Sequence, residues 1–423
     1  MATLESGRTA LDDAYAKATR DIAGNIVGGA FIAGQTWPTV WVRDAAYAID
    51  LGAGFAYPQI ARQTITGVAT TDGLWAQDRC AHFGGWPNLT DAIVGAIGAW
   101  ASYVADPDPS FLRWAYGVTV ASLARAEREV FDGGLFRGCA SFMESNSAYP
   151  LWLAFNGRAV GRMKALSTNV LHYRAYRIAA RMAGLLGVED LFTAKAEALK
   201  RAINERLWSP RLGHYTYYEG SHRREGLGEA LAALWGVAEW DRVKSMHVTP
   251  HGVPCRWPRY LLWRPPLRRA EYYHNGMVWP FVQGYWAWAA AKHGDVGVFA
   301  AELGHLTGLA GKAATLHEFY RPHSGRADGS PRQLWSAAGL HAMVHYGLFG
   351  MDTDVDRVRF APVVPEGFTS LVLRDLHFRQ MTLTIRVAGH GTQIRGFELD
   401  GSPQAAPEIP GDLTGRHEIA ITL

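Results

Sequence analysis

Apolar residues recur at helical spacing through most of the first 350 positions, in stretches punctuated by Gly and Pro. A chain with this rhythm buries its apolar stripes by packing helix on helix. The spacing predicts helices over 11–22, 91–104, 111–130, 168–186, 191–207, 278–293, 298–309 and 333–346. Weaker segments lie at 45–56, 58–68, 227–237 and 240–246, which makes about a dozen by the same pattern. Thr90 stands where an N-cap belongs, and Asp132-Gly133-Gly134 closes the third helix. Short connections around Gly187 and Gly294-Asp295 force antiparallel neighbours. Longer loops rich in Gly, Trp and His alternate with them. That alternation predicts a mainly α toroid of helical hairpins with its functional loops on one face. No short repeat is present, which argues against a solenoid.

After Gly350 the period changes to two. Short alternating or apolar runs cover 358–360, 371–373, 376–378, 381–387, 394–399 and 418–423, separated by turns at Pro365-Glu366-Gly367, Gly389-His390-Gly391 and Asp400-Gly401. The expected organisation is a catalytic helical domain over 1–350 and a small C-terminal antiparallel β domain over 351–423. So small a unit buries too little alone and is expected to pack on the helices.

Of 423 residues, 48% are hydrophobic, which suits a large core rather than a disordered chain. The net charge is +3 and the charges are interspersed, so neither a nucleic-acid nor a membrane-surface role is indicated. Cys80, Cys139 and Cys255 are far apart, odd in number and form no CxxC, unlike a disulfide framework or a zinc ribbon. The N-terminus lacks a signal-like apolar core, and no apolar run reaches the ~18 residues of a membrane span. The reading is a cytoplasmic protein, with a periplasmic origin left open. Trp 16, Tyr 17 and Phe 17 make the chain rich in aromatics. Most such side chains belong to the core, but indole faces also suit the apolar C–H faces of sugars.

Four segments carry residues suited to chemistry. In Trp41-Val42-Arg43-Asp44, a carboxylate beside a guanidinium stays ionised and can accept hydrogen bonds from sugar hydroxyls. The bland alternative is an ion pair at a helix start. Glu144 lies in a long loop, 134–150, of small and aromatic residues, with Arg137 the closest basic residue in sequence. Apolar surroundings raise a carboxyl's pKa and suit it to general acid work; the alternative is an ordinary turn residue. Polar groups and an indole converge over 271–280 around His274, Asn275 and Trp279, where a core-anchoring loop is the plainer reading. His317-Glu318 begins the fourth, followed by Gln333, Trp335 and Ser336. The second histidine comes too late for HExxH. A carboxylate here can hold a water, the base's task in an inverting glycosidase.

In this order the segments resemble glucoamylase-like and trehalase-like (α/α)6 glycosidases. These include bacterial relatives of processing α-glucosidase I in glycoside hydrolase family 63 and the glucosidase part of glycogen-debranching enzymes. Trp41-Val42-Arg43-Asp44 is similar to the Trp-x-Arg-Asp motif that grips the sugar in subsite −1. Ser167-Thr168-Asn169 and the run from Tyr273-His274-Asn275-Gly276 to Val278-Trp279-Pro280 resemble segments of the bacterial members. Glu318-Phe319-Tyr320 with Pro322, and Trp335-Ser336-Ala337-Ala338, resemble the motifs carrying the family's base. Many relatives place an Asp in a Gly-x-Asp-Asn-Ser context where this chain has Met143-Glu144-Ser145-Asn146-Ser147, so Asp44 and Asp91 stand as alternative acids.

The resemblance implies an (α/α)6 barrel acting on small α-glucosides or related glycosides by single displacement, without metal or organic cofactor. Glu144 is then the acid and Glu318 the base, with carboxyl groups roughly 6.5–9.5 Å apart. Arg43, Asp44, Asp91, Asn169, His274 and Asn275 are expected to orient the sugar between Trp41, Trp279 and Trp335. Two other activities fit such a barrel. A sugar 2-epimerase would use His274 and His317, and a polysaccharide lyase Tyr273 or His274. A non-catalytic sugar-binding module is a further alternative. The expected partner is a small carbohydrate, and the sequence specifies no oligomeric state.

Overall fold

The computed structural model describes residues 2–79, 83–260 and 272–423. Cys80 and Glu271, considered above, lie outside them. About 43% of the chain is helical, which makes the fold mainly α with added strands. The principal helices are α1 (Thr9–Gly24), α2 (Val42–Ala48), α3 (Pro58–Gly67), α4 (Val94–Ala105), α5 (Pro109–Glu129) and α6 (Leu166–Leu186). They continue as α7 (Thr193–Arg206), α8 (Gly226–Leu234), α9 (Trp240–Val243), α10 (Pro280–Lys292), α11 (Val296–Ala310) and α12 (Leu334–Ala342).

Composition separates these helices into two kinds. Every residue of α2, α8 and α12 is buried, as their Ala- and Gly-rich sequences allow. By contrast α7, with Lys and Glu through its length, buries only Ala196, Leu199 and Ile203, a single stripe. The packing follows that division. Helix α2 packs on α4, α4 on α6, α6 on α8, α8 on α10, α10 on α12, and α12 back on α2. The others flank them: α1 lies against α12, α3 against α4, α5 and α7 against α6, α9 against α8, and α11 against α10.

Several boundaries differ from the expectation for local physical reasons. Thr90 does not cap a helix; its hydroxyl donates to the Arg137 carbonyl at 2.6 Å, and a single 3-10 turn (Asp91–Ile93) precedes α4. The segment 45–56 is not one helix. Helix α2 runs into a π turn (Ile49–Ala53) in which Gly52 has φ +112°, then a last turn (Gly54–Ala56). The segment 240–246 keeps one helical turn, Trp240–Val243.

Strand β1 (Thr3–Glu5) is followed, after the helices, by β2 (Met351–Thr353), β3 (Arg357–Phe360), β4 (Ser370–Phe378), β5 (Met381–Ala388), β6 (Gly396–Leu399), β7 (Ser402–Pro403), β8 (Glu408–Pro410) and β9 (Gly415–Thr422). The main sheet runs β1-β4-β5-β9-β6-β7. The two apolar runs 371–373 and 376–378 are one strand, interrupted by a bulge at Arg374 and Asp375, where Asp375 has φ +52°. The expectation of a purely antiparallel unit is corrected: β5 and β9 pair in parallel, Ile385 opposite Ile419. The 26 residues between them, 389–414, provide the crossover that parallel pairing requires. The N-terminal strand β1 also joins this sheet, pairing Leu4 with Leu373. The alternating residues Leu383, Ile385 and Val387 are buried, with Ile419 and Ile421 beside them. Among the described residues no helix is long and apolar enough to cross a membrane.

Candidate active site

The residues singled out by sequence gather at the N-terminal ends of the mutually packed helices. Arg43 and Asp44 open α2, Asp91 precedes α4, Ser167 and Asn169 open α6, Trp279 precedes α10, and Gln333 precedes α12; Glu225, which sequence did not select, precedes α8. Hydrogen bonds and ion pairs join several of these starts: Gln333 to Asp44, Ser167 N–H to Glu225, and Arg43 to Asp91.

The start of α2 is held by a residue that sequence reading did not select. Asp78 accepts from the backbone N–H of Val42 at 2.9 Å and of Arg43 at 3.2 Å. The Arg43 guanidinium, buried at 3% exposure, is surrounded by carboxylates: Glu144 at 2.8 Å, Asp91 at 3.8 Å and Asp78 at 3.8 Å. Asp44 accepts from Gln333 Nε2 at 2.7 Å through Oδ1. No described donor meets its Oδ2.

Glu144 sits on a loop fixed at several points. Ser141 N–H donates to Ser167 Oγ at 2.9 Å, and Ser141 Oγ to Asp91 Oδ2 at 2.9 Å. The Phe142 N–H also points at Asp91, 3.3 Å away. Phe142 has φ +56°, costly for a bulky residue. Its ring is boxed in by His274, Trp279, Phe281 and Trp335, with centroids 5.0–6.2 Å away. The strained backbone therefore has a cage that enforces it, two residues before Glu144. The Glu144 side chain retains 19% exposure. Burial pushes its pKa up to about 7, with Asp91 adding to the rise and Arg43 opposing it.

Glu318 is arranged differently. It immediately precedes a two-stranded ribbon, Phe319–Tyr320 with Ala327–Asp328, and Tyr320 and Val278 exchange backbone hydrogen bonds of 2.8 and 3.0 Å. Its Oε2 accepts from Ser330 N–H at 2.9 Å and from Trp37 Nε1 at 3.3 Å; Oε1 accepts from the Tyr273 hydroxyl at 3.2 Å. Gly329, at φ +73°, makes this approach possible, because a Cβ there would lie 2.7 Å from Oε2. Burial raises the Glu318 pKa, and its three donors restrain that rise. Trp37 reaches the carboxylate because loop 33–36 docks on the α12 entry: Leu334 N–H donates to Ala33 O at 2.8 Å and Thr36 N–H to Ser330 Oγ at 3.0 Å.

Glu144 and Glu318 act on common neighbours. Both disfavour ionisation of Asp44 and of the Tyr273 phenol, which lie among them. His274 is kept neutral, its pKa driven well below the usual range by burial and then by Arg43 and Arg256. Its ring lies 4.2 Å from that of Tyr273, and its Nδ1 is buried without a partner. Trp41 is partly exposed and meets Trp37 edge-on at 6.1 Å. Trp335 stacks on Phe281 at 4.2 Å with its indole N–H unpartnered.

Other selected residues brace the site instead of opening onto it. Asn169 spends its amide on backbone: Oδ1 accepts from Phe136 N–H at 2.7 Å, and Nδ2 donates to Phe136 O and Ala165 O. Asn275 holds the 256–260 loop through Arg256 and the Tyr260 backbone. Trp279 is buried, its indole donating to Tyr273 O at 3.3 Å. Asp91 is likewise enclosed, with Gln77 Nε2 on its remaining oxygen at 2.9 Å. Trp37, Gln77, Asp78 and Gln333 complete the geometry without having been assigned a role from sequence, and Tyr273 had one only in the lyase alternative. Only Tyr273 and Gln333 stood in segments already marked as chemical.

Known proteins were compared with this arrangement. The sequence pattern of the mannosylglycerate hydrolase MGH1-like glycoside hydrolase domain matches residues 38–336. Among solved structures, the family 63 mannosylglycerate hydrolase from Thermus thermophilus, bound to Tris, is similar with a TM-score of 0.62 and 16% identity, over 78% of this chain and 99% of that one. The family 78 rhamnosidase of Bacillus sp. GL1 gives a TM-score of 0.63 and 14% identity over 100% of this chain and 44% of that one. The Streptomyces avermitilis α-L-rhamnosidase, complexed with L-rhamnose, gives 0.63 and 14% over 98% and 38%. At these identities the likeness is one of fold. Comparison with curated protein sequences gave no match.

Proposed function

The chain belongs to the family defined by the mannosylglycerate hydrolase MGH1-like glycoside hydrolase domain and is a glycoside hydrolase; from that premise we propose a single-displacement, inverting mechanism with Glu144 as acid and Glu318 as base. The family match sets aside the epimerase and lyase alternatives. What supports the assignment is the contrast between two environments that share Asp44 and Tyr273 as neighbours: a carboxyl with pKa about 7 on an apolar loop, and a carboxylate held by three donors. Glu144 delivers its proton to the leaving oxygen. Glu318 removes a proton from the water that attacks the anomeric carbon from the opposite face. Asp44 Oδ2, the neutral His274 and the flanking Trp41 and Trp335 are the groups we assign to the sugar in subsite −1.

In the same reading α1 to α12 form an (α/α)6 toroid, supported by the order in which α2, α4, α6, α8, α10 and α12 close on themselves. Residues 1–350 are the catalytic unit and 351–423 the β unit. The substrate is a small glycoside taken from its non-reducing end, with α-glucosides favoured by the motif resemblance. A glycoside of a hydroxy acid is a second reading, suggested by the Thermus thermophilus enzyme's name. It is favoured by Arg223 and Arg256, whose guanidinium carbons each lie 3.9 Å from the centroid of the Tyr260 ring. Each Nε is buried without a hydrogen-bond partner among the described residues.

The test is anomer-resolved proton NMR of hydrolysis, using a panel of α-glucosides, α-mannosides and their glycerate derivatives. The first sugar formed should carry the anomeric configuration opposite to the substrate, and Glu318→Gln should abolish turnover while leaving the thermal transition in place. Release of the same anomer, or full activity in that variant, removes the assignment.

A further inference from the structure

The packed helices have a second end. Helices rise about 1.5 Å per residue, so side chains about seven to ten positions beyond the catalytic starts lie roughly 10–15 Å further along. At that level Asp50 follows α2, Arg174 lies in α6, Trp235 ends α8 and Trp288 lies in α10. Tyr346 approaches from the π turn (Met343–Leu348) after α12. A solid layer separates this level from the catalytic one: Tyr47 packs between Phe281 at 5.4 Å and Tyr285 at 5.7 Å, with its own hydroxyl bonded to Ser141.

The polar groups here are only half used. Asp50 Oδ2 accepts from the Tyr285 hydroxyl at 2.8 Å, and the Asp50 carbonyl from the Tyr346 hydroxyl at 3.0 Å. No described donor meets Asp50 Oδ1, although Asp50 is buried, at 7% exposure. Arg174 is the opposite charge that acts most strongly on Asp50, and Asp50 on Arg174, yet no contact within 4 Å joins them. The Arg174 Nε is buried without a partner. A carboxylate and a guanidinium thus stand apart, each with unspent hydrogen-bonding capacity. Aromatic faces surround them. Trp288 lies 4.3 Å from Tyr346, and the Arg174 guanidinium carbon lies 5.5 Å from the Trp235 ring centroid. Trp235, Trp288 and Arg174 all keep partial solvent access.

We propose that Asp50, Arg174, Trp235, Trp288 and Tyr346 form a second, non-catalytic binding site for a neutral pyranose at the opposite end of the helical ring. A ligand between two separated opposite charges must offer acceptors to one and donors to the other, and sugar hydroxyls offer both. Their C–H faces match the partly exposed indoles. Such groups usually meet in carbohydrate pockets, a few polar contacts fixing a ligand against aromatic walls. The structural alternative is that Arg174 merely complements the helix C-termini at this end.

The site does not depend on the catalytic assignment, and the experiment separates them. Methyl α-D-glucopyranoside and methyl α-D-mannopyranoside are titrated into the intact protein by calorimetry and saturation-transfer NMR, in the wild-type background and in Glu318→Gln. A saturable sugar site in addition to the catalytic pocket, two sugars per chain in all, should be present in Glu318→Gln. In Arg174→Gln its affinity should fall roughly tenfold, the scale of a lost charged hydrogen bond, and in Trp288→Ala by a similar factor, with turnover unchanged in both. Should Trp288→Ala fail to fold, Arg174→Gln still decides, because among the described residues this side chain has no hydrogen bond to lose. Binding of neither sugar, or binding that Arg174→Gln leaves untouched, overturns the proposal.

Discussion

The loop bearing Glu144 and the ribbon bearing Glu318 solve opposite problems with similar materials. The Arg43 guanidinium that meets Glu144 at 2.8 Å shares its charge with Asp91 and Asp78. Burial therefore dominates and its proton is retained to about pH 7. Glu318 is more deeply enclosed, at 4% exposure, but both its oxygens are occupied by neutral donors from Trp37, Tyr273 and Ser330. Those donors favour the charged form without supplying a formal charge. Burial raises both carboxyls and so does not by itself divide acid from base.

The sharpest way to break this comparison is to remove each carboxyl in turn. Glu318→Gln should lose about 10²–10⁴-fold in kcat on every substrate, since water activation is needed whatever departs. Glu144→Gln should lose as much on alkyl glycosides but far less on nitrophenyl glycosides, whose leaving group needs little protonation. Steady-state kinetics on matched alkyl and aryl substrates gives the answer. Equal losses on both in Glu144→Gln would transfer the acid's role to another group.

A smaller effect addresses the donors. Tyr273→Phe removes the hydroxyl 3.2 Å from Glu318 Oε1. That hydrogen bond favours the ionised base and lowers its pKa, so its loss raises the pKa. Because the base works ionised, the acidic limb of the kcat/KM profile should move to higher pH, with kcat reduced roughly tenfold. An unmoved acidic limb would leave Tyr273 with packing alone.

The helical rhythm was legible because it depends on neighbours in sequence. Arg43, Asp44, Glu144 and Glu318 drew notice through the motifs they stand in, and Arg43 and Glu144 do meet, at 2.8 Å. What escaped was where each hydrogen bond ends. Asn169 and Asn275 have the chemistry of sugar ligands, yet their amides are consumed by backbone groups. Asp78 binds α2 from 35 residues away, and Gln333 reaches Asp44 across 289. Parallel pairing of β5 with β9 escaped similarly, since alternation reveals a strand's faces but not its partner.

The Glu144 loop yields a subtler prediction. A neighbouring negative charge disfavours ionisation of Glu144, and Asp91 has that effect. Asp91→Asn should therefore bring the Glu144 pKa below about 7. The acid works protonated, so the basic limb of the kcat/KM profile should move to lower pH, opposite in sense to Tyr273→Phe. Phe142 loses part of its backbone restraint in the same variant, so kcat falls as well, but by less than the removal of either catalytic carboxyl. A basic limb that stays in place would separate Asp91 from the electrostatics of the acid.

The least effect on catalysis is expected from Asn169→Ala, and it bears on how the acid's loop is supported. Its three hydrogen bonds fix the Phe136 backbone, which leads into that loop, and tie it to the start of α6. Leaving the Phe136 N–H unsatisfied should cost about 1–3 kcal/mol of stability, visible as a lowered midpoint in chemical denaturation. An amide with no capacity left for a ligand should not alter KM once the folded fraction is accounted for. A raised KM with unchanged stability would instead make Asn169 a sugar contact and move the edge of the pocket outward to α6.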